Sequence, residues 1–197
     1  ATISRNGDLI TNMYLQVELP AGTYCNSVGH AMVKSVELEI GGQRIDKWYS
    51  DALEYWQELT CPEEKKDGYA MMTGKKETNM NNEFAAPTTL YIPLQFFFNR
   101  NVGLALPLIA LQYHEVEVHI EFETLARITS AGGTGPTAGS SLSNVSLWAD
   151  YIFLDTEERK EFAQSPHEYL IETVQQQEES CTNAKQSMRL NFNHPVK

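Results

Sequence analysis

The sequence predicts an all-β fold, with two sheets packed face to face and short helices in the connections. The first observation is the alternation of apolar and polar residues along Leu9–Leu19, Val33–Ile40 and 112–123. Because successive side chains of a strand point to opposite faces, each of these stretches would bury one face. The second observation is the aromatic-rich apolar run 90–98, which is short enough for a strand buried on both faces.

Two strands are predicted in the N-terminal part of the chain, and the second of them begins a hairpin. The strand at Leu9–Leu19 begins after a polar turn and ends at Pro20. The next strand, Val33–Ile40, leads into Gly41-Gly42, a pair that supplies the positive backbone angles of a two-residue hairpin turn. A regular hairpin of this kind would place Glu39 opposite Arg44 and Leu38 opposite Ile45.

Central residues 90–123 carry most of the predicted core. A second apolar run, 104–111, is interrupted by Pro107, which indicates a bend, a bulge or a strand end. From residue 112 the alternation is strict. One face is predicted to lie in the core, and it comprises His114, Val116, Val118, Ile120 and Phe122. The opposite face is acidic.

Three short helices are predicted outside the strands. The first is capped by Ser50 and ends before Pro62, after which residues 63–83 are expected to be a long surface loop. Asp155 with Glu158 forms a capping box for the second helix, and residues 165–168 form another for the third. The remaining predictions are an exposed loop (129–144), a strand (145–154), a polar linker (175–185) and a strand whose sheet is not in this sequence (187–192).

Composition limits the function. The chain has 197 residues, enough for one ordinary domain. Its 15 basic and 26 acidic residues give a net charge of −11, which argues against direct binding of nucleic acid. No apolar run approaches the ~20 residues of a transmembrane helix. Three widely spaced cysteines suggest reduced thiols rather than a disulfide framework.

No catalytic, cofactor or metal site is predicted. His114 and His119 are five residues apart, so on one strand they would face opposite sides and could not bind the same ion. The sequence contains neither a GxSxG elbow nor a glycine-rich phosphate loop. The chain is therefore expected not to be an enzyme.

Two residues remain as candidate sites. Arg100, within Asn99-Arg100-Asn101, is the candidate for an anchoring or assembly contact, and the alternative is that it binds strand-end carbonyls of its own subunit. Asn144, in Asn-Val-Ser, is a weak glycosylation sequon that matters only in a secretory compartment.

Three stretches carry a family resemblance. Residues 96–116, FFFNRNVGLALPLIALQYHEV, resemble the signature of the major capsid proteins of nucleocytoplasmic large DNA viruses, the algal-virus and giant-virus lineage. Residues 150–164 and 167–172 resemble the segment that joins the two jelly rolls of these proteins. Residues 189–197 resemble the first strand of their second jelly roll.

The resemblance implies a double jelly-roll protein that trimerises into pseudo-hexagonal capsomers of an icosahedral shell. It implies a division into a first jelly roll lacking its N-terminal strands (1–155), interdomain helices and linker (156–186), and the first strand of a second jelly roll (187–197). The chain is then expected to be an internal piece of a longer protein. Expected partners are copies of itself and minor capsid proteins, in a virion assembled in the host cytoplasm. A carbohydrate-binding jelly-roll module is the alternative function, and a metal-dependent enzyme is a third.

Overall fold

We describe a computed structural model of the chain, which covers residues 1–76, 81–130, 135–136, 140–182 and 184–196. The strands are β1 (Leu9–Leu19), β2 (Gly22–Cys25), β3 (Val33–Ile40), β4 (Gln43–Tyr49), β5 (Asn81–Phe84), β6 (Thr88–Pro93), β7 (Leu106–Pro107), β8 (Val116–Phe122) and β9 (Ser143–Ile152). The helices are α1 (Val28–Met32), α2 (Ser50–Thr60), α3 (Glu63–Thr73), α4 (Phe97–Arg100), α5 (Leu125–Ile128) and α6 (Thr156–Gln164).

Two antiparallel sheets form a sandwich. In the first sheet β1 is central, with β6 and β7 along one edge and β9 along the other. The second sheet has the order β4-β3-β8, and a small third sheet pairs β2 with β5. The predicted all-β class is confirmed.

The core lies between the two main sheets. Alternate residues of β1 face inward, and Leu15, Val17 and Leu19 are fully buried. The facing sheet contributes Val36, Leu38, Trp48, Val116 and Val118 to the same cluster. Each such aliphatic side chain contributes roughly 1.5–3 kcal/mol by leaving water. The alternation that predicted these strands is therefore the pattern that holds the sheets together.

The β3–β4 hairpin is confirmed with one irregularity. Gly41 and Gly42 have φ values of 60° and 79°, as a type I′ turn requires. Glu39 pairs with Arg44 as predicted, but the predicted Leu38–Ile45 pair is wrong, because Leu38 pairs with Asp46. Ile45 is the extra residue of a β-bulge, and the buried partner of Leu38 is consequently a carboxylate.

The strand predicted over 90–98 ends earlier than expected. β6 stops at Pro93, and Phe97 begins the single turn α4. The Phe96 N–H donates to the Asn99 side chain (3.1 Å), and the Asn99 N–H donates to the Phe96 carbonyl (2.9 Å), which closes the turn. All three rings are buried, with Phe96 stacked on Phe98 (centroids 5.9 Å apart) and Phe97 edge-on to Phe98 (5.2 Å).

The predicted surface loop at 63–83 is also wrong in part. Its first half is the helix α3, which begins directly after Pro62, carries Glu63 and Glu64 in its first turn, and ends at Gly74 with φ 69°. Acidic residues near the helix N-terminus and a left-handed glycine beyond its C-terminus are the signals that favour this helix. The strand β5 follows, and residues 77–80 of the loop lie outside the described residues.

A partly buried polar network holds α1, α2 and α3 together. His30 bonds through Nδ1 to Glu54 (2.6 Å) and through Nε2 to the Tyr69 hydroxyl (2.9 Å). Lys75 donates to the same Glu54 carboxylate (2.8 Å). The hydrogen bond from His30, helped by Lys75 and opposed by burial, lowers the pKa of Glu54 to about 2. The Glu54 carboxylate is therefore ionised at neutral pH, and it links α2 to His30 on α1 and to Lys75.

The other helix predictions gave mixed results. α2 begins at Ser50 rather than after it, a difference of one residue. The Asp155–Glu158 capping box is confirmed at the start of α6, whereas residues 165–168 form no helix. His114 lies outside β8 and is exposed, so its predicted core position is wrong. Residues 187–192 form no strand, and the predicted loop 129–144 lies partly outside the described residues.

Candidate anchoring site around Arg100

The three polar residues that follow Phe98, which are Asn99, Arg100 and Asn101, each contact a different part of the chain. Asn99 donates from its amide to the Thr11 carbonyl on β1 (2.6 Å). Asn101 accepts from the Gly103 N–H (2.8 Å) and starts a short 3-10 turn. Arg100, at the end of α4, extends towards the C-terminal segment of the chain. The first two residues fix the backbone from which Arg100 projects.

The Arg100 guanidinium lies on two tryptophan rings. It is 4.1 Å from the ring centre of Trp56 and 5.1 Å from that of Trp48, and its side chain is only 15% exposed. Such contacts are worth about 2 kcal/mol when the cation is desolvated. Nε donates to the Gln95 carbonyl (3.1 Å), and Nη1 donates to Glu172 (3.1 Å). Arg100 thus joins α4, α2 and β4 to a residue beyond α6.

Asp46 makes the second contact to that C-terminal segment. It is 2% exposed, and its carboxylate accepts from the Trp48 indole N–H (2.7 Å), the Lys47 N–H (2.9 Å) and the Val174 N–H (3.0 Å). Burial raises the pKa of Asp46, and these donors together with the Arg100 charge oppose the increase. Three donors compensate much of the cost of burying this carboxyl group.

Residues 169–174 form a strap across the sandwich. At its start the Tyr169 hydroxyl donates to the Ala105 carbonyl (3.0 Å), and the Tyr169 ring contacts Phe97 at a centroid distance of 6.2 Å. At its end Val174 packs against the core. We call these six residues the strap. It is fastened at Tyr169, at Glu172 and at Val174.

Two glutamines beyond the strap hold the last described segment. The Gln175 side chain donates to the Asn193 carbonyl (3.2 Å) and accepts from the Asn193 N–H (2.9 Å). The Gln177 side chain likewise donates to the Arg189 carbonyl (2.6 Å) and accepts from the Asn191 N–H (2.9 Å). Side-chain amides here take the place that the backbone of a neighbouring strand would take in a sheet.

The structure brings Arg100 together with residues that the sequence did not single out. Asp46, Trp56 and Glu172 complete the site. Asp46 and Trp48 share one face of β4, so an aspartate two positions before a buried tryptophan was the available signal. The Arg100 contacts lie within this chain and include a carbonyl of its own subunit. An assembly role for Arg100 stays a prediction.

The remaining sequence-derived candidates lie apart from the Arg100 site. Asn144 is exposed at the start of β9, has φ 48°, and donates from its amide to Glu18 on β1. Its glycosylation stays a prediction, which intact mass spectrometry would check. His119 lies on the outer face of β8, and His114 lies in the preceding turn. Among the described residues, no helix has both the length and the apolar character needed to cross a bilayer.

The sandwich and its strap are similar to a solved viral shell. The structure of the PBCV-1 virus capsid aligns with 98% of this chain and 48% of that chain, with a TM-score of 0.81 and 42% sequence identity. The fold is that of a viral jelly-roll capsid protein.

Sequence comparison identifies the family. A family model described as the N-terminus of the major capsid protein matches residues 1–155. The major capsid protein of Pyramimonas orientalis virus is 48% identical over 202 residues, which cover 99% of this chain and 49% of the relative. That of Paramecium bursaria Chlorella virus 1 is 44% identical over 207 residues, which cover 99% and 46%. This chain belongs to the major capsid protein family of nucleocytoplasmic large DNA viruses.

The family confirms the resemblance found in residues 96–116. The matched relatives are structural capsid proteins, which agrees with the expectation that the chain is not an enzyme. The chain spans about half the length of the curated relatives it matches.

Proposed function

We propose that this chain forms the first jelly roll of a double jelly-roll major capsid protein. In this proposal the full-length protein trimerises, and the trimers are the pseudo-hexagonal capsomers of an icosahedral shell. The observation that carries the proposal is the alignment of 98% of the chain with the PBCV-1 virus capsid at 42% identity. Closed homo-oligomers that tile into a shell need extensive complementary surfaces between copies.

The domain organisation follows the three parts expected from the sequence. Residues 1–155 form the first jelly roll and 156–186 the connection, and 187–197, of which 187–192 form no strand here, become the first strand of the second jelly roll in the full-length protein. The end of the family match at residue 155 supports the first boundary. The bonds from Gln175 and Gln177 to 189–193 support the last part, because they bond this stretch as a neighbouring strand would.

Arg100 has a positioning role in this proposal. By holding Glu172, and together with the Asp46–Val174 bond, it fixes where the chain leaves the first jelly roll. The start of the second jelly roll is then set relative to the first before trimers form. Such fixed geometry favours a regular lattice, because errors in the angle between the two halves would accumulate around a shell.

The proposed partners are other copies of the protein and minor capsid proteins. The proposed location is the virion, with assembly in the host cytoplasm. A net charge of −11 argues against direct contact with the genome, since phosphate binding needs clustered Lys and Arg.

The test is the mass of the full-length protein in solution. Size-exclusion chromatography with light scattering at micromolar concentration is expected to give three times the monomer mass. The variant Arg100→Met tests the positioning role in the same experiment, and it is expected to shift mass from trimer to monomer. A strictly monomeric full-length protein would overturn trimerisation. An unchanged trimer in Arg100→Met would overturn only the role of Arg100.

One surface favours a second function, carbohydrate binding. Trp148 is 58% exposed on the outer face of the first sheet, and Tyr14 lies directly opposite it on β1. Tyr91 on β6 is exposed on the same face. Stacking of sugars on such aromatic rings would appear on a glycan array and would disappear in Trp148→Ala. The control is Tyr113→Ala, which removes an exposed aromatic ring from a turn outside this sheet.

A further inference from the structure

Three ligand-type side chains meet on the outer face of the β4-β3-β8 sheet. Glu39 on β3 and Glu117 on β8 are directly opposite one another in the antiparallel pair. His119 lies two residues beyond Glu117, so it shares that face. The His119 imidazole and one oxygen from each carboxylate all lie within 4.8 Å of one another.

The arrangement of the two glutamates favours a positive charge between them. Like charges directly opposite on neighbouring strands repel and destabilise a sheet. The nearby cations Arg44 and Lys47 both pair with Glu37 (3.9 and 3.4 Å). Among the residues that the structure describes, neither Glu39 nor Glu117 has a Lys or Arg within ion-pair distance. His119 is the group that lies between them.

The two distances from His119 are compatible with metal coordination. His119 Nε2 is 3.5 Å from Glu39 Oε2 and 3.4 Å from Glu117 Oε2. An N–H donor to a carboxylate normally approaches to about 2.7–2.9 Å. Two ligands of a tetrahedral zinc ion, each bonded at about 2.0–2.2 Å, are separated by about 3.4 Å. Both contacts of His119 have the length of an edge of that tetrahedron.

One of the glutamates is already held in place. The Thr2 hydroxyl donates to Glu117 Oε1 (3.0 Å), which leaves Oε2 as the oxygen nearer His119. Bonds of this kind, from a neighbouring group to the second atom of a ligand, orient metal ligands in proteins. The side chains of Glu39 and Glu117 are 27% and 32% exposed and that of His119 is 52% exposed, so an ion can enter from solvent.

We propose that His119 Nε2, Glu39 Oε2 and Glu117 Oε2 bind one divalent transition-metal ion of the zinc class. Imidazole and carboxylate are ligands that this class accepts, and the fourth position is open to water. The ion crosslinks β3 to β8 and neutralises the glutamate pair. The sequence expectation of no metal site considered two histidines on one strand, whereas this set joins two strands. The site does not depend on the proposed capsid function.

Metal binding is measured directly on untagged, metal-stripped protein. Isothermal titration with Zn²⁺ is expected to show one site, and Co²⁺ is expected to give the intense visible absorption of tetrahedral coordination. The variants His119→Ala and Glu39→Gln should each weaken Zn²⁺ binding at least about 10-fold. The controls His114→Ala and Glu121→Gln, a histidine and a glutamate of the same region outside the cluster, should bind as the parent does.

Thermal unfolding gives a second test. Relative to the parent, Glu39→Gln should have a higher Tm in metal-free buffer and should lack the gain in Tm that Zn²⁺ gives. In metal-free buffer Glu39→Gln should raise Tm, because it removes the repulsion with Glu117. With Zn²⁺ in excess the parent protein should gain Tm and the variant should not. Circular dichroism confirms that each variant is folded. Failure of the parent to bind Zn²⁺, or binding that survives in His119→Ala and Glu39→Gln, would overturn the proposal.

Discussion

Replacing Arg100 by methionine tests whether the strap is fastened by the contacts described above. The substitution keeps an unbranched, flexible side chain, which is shorter than that of arginine, and removes the charge and every donor. The stack on Trp48 and Trp56 contributes about 1–2 kcal/mol because the guanidinium is largely desolvated. The bond to the Gln95 carbonyl adds about 1 kcal/mol. The ion pair adds about 0.5 kcal/mol, since Glu172 is 42% exposed and screened.

Arg100→Met is therefore expected to lower the free energy of unfolding by about 3 kcal/mol in urea denaturation. Limited proteolysis should also cut sooner beyond the strap, at residues 175–182. Arg100→Lys retains the charge but loses the planar stack and the second donor, and it should cost about half as much. The matched control is Arg127→Met, which breaks an exposed pair with Glu123 and should cost under about 0.5 kcal/mol. A loss in Arg100→Met no larger than in the control would refute this reasoning.

Three further predictions concern the anchor, the helices and the hairpin. Asp46→Ala leaves buried donors, including the Val174 N–H, without an acceptor, and urea unfolding should show a loss of about 3 kcal/mol. Because the folded-state pKa of Glu54 is about 2, below its ordinary value of 4.5, its contribution is complete above pH 4.5. Roughly 1–2 kcal/mol should be lost as the pH falls towards 2, and Glu54→Gln should abolish that slope in pH-dependent urea titrations. Gly41→Ala should lower Tm more than Gly42→Ala. Both glycines have positive φ, but only a Cβ added at Gly41 would meet another atom, His114 Nδ1, at 2.6 Å. Equal shifts in Tm would exclude the clash.

The alternating stretches were the predictable part of the fold. β1, β3 and β8 each bury one face, and for such strands period-two patterning states both the secondary structure and the inward residues. The Gly41-Gly42 turn was predictable for a related reason, because two adjacent residues with positive φ are rare except at glycine.

The remainder depends on contacts between distant parts of the chain. Phe96, Phe97 and Phe98 read as a strand because their pattern carries no period, and the helical turn is decided by Asn99 bonding to Thr11 on β1. In the Arg100 site, the sequence marked the arginine but neither Asp46 nor Glu172. The role of Asp46 depends on the bulge at Ile45, and that of Glu172 depends on a strap more than seventy residues away from Arg100. The local sequence pattern indicates neither feature.

The bulge at Ile45 has a consequence for how this hairpin can vary in length. Because Ile45 is an extra residue in β4, Asp46 rather than Ile45 lies opposite Leu38 and faces the core. Removing Ile45 would give a regular hairpin in which Asp46 still lies opposite Leu38, so the carboxylate would stay inside. Adding one residue with the bulge retained would exchange the inward and outward positions, bringing Lys47 inside and turning the carboxylate out. Loss of the bulge residue is therefore the change of one residue that this hairpin can accept.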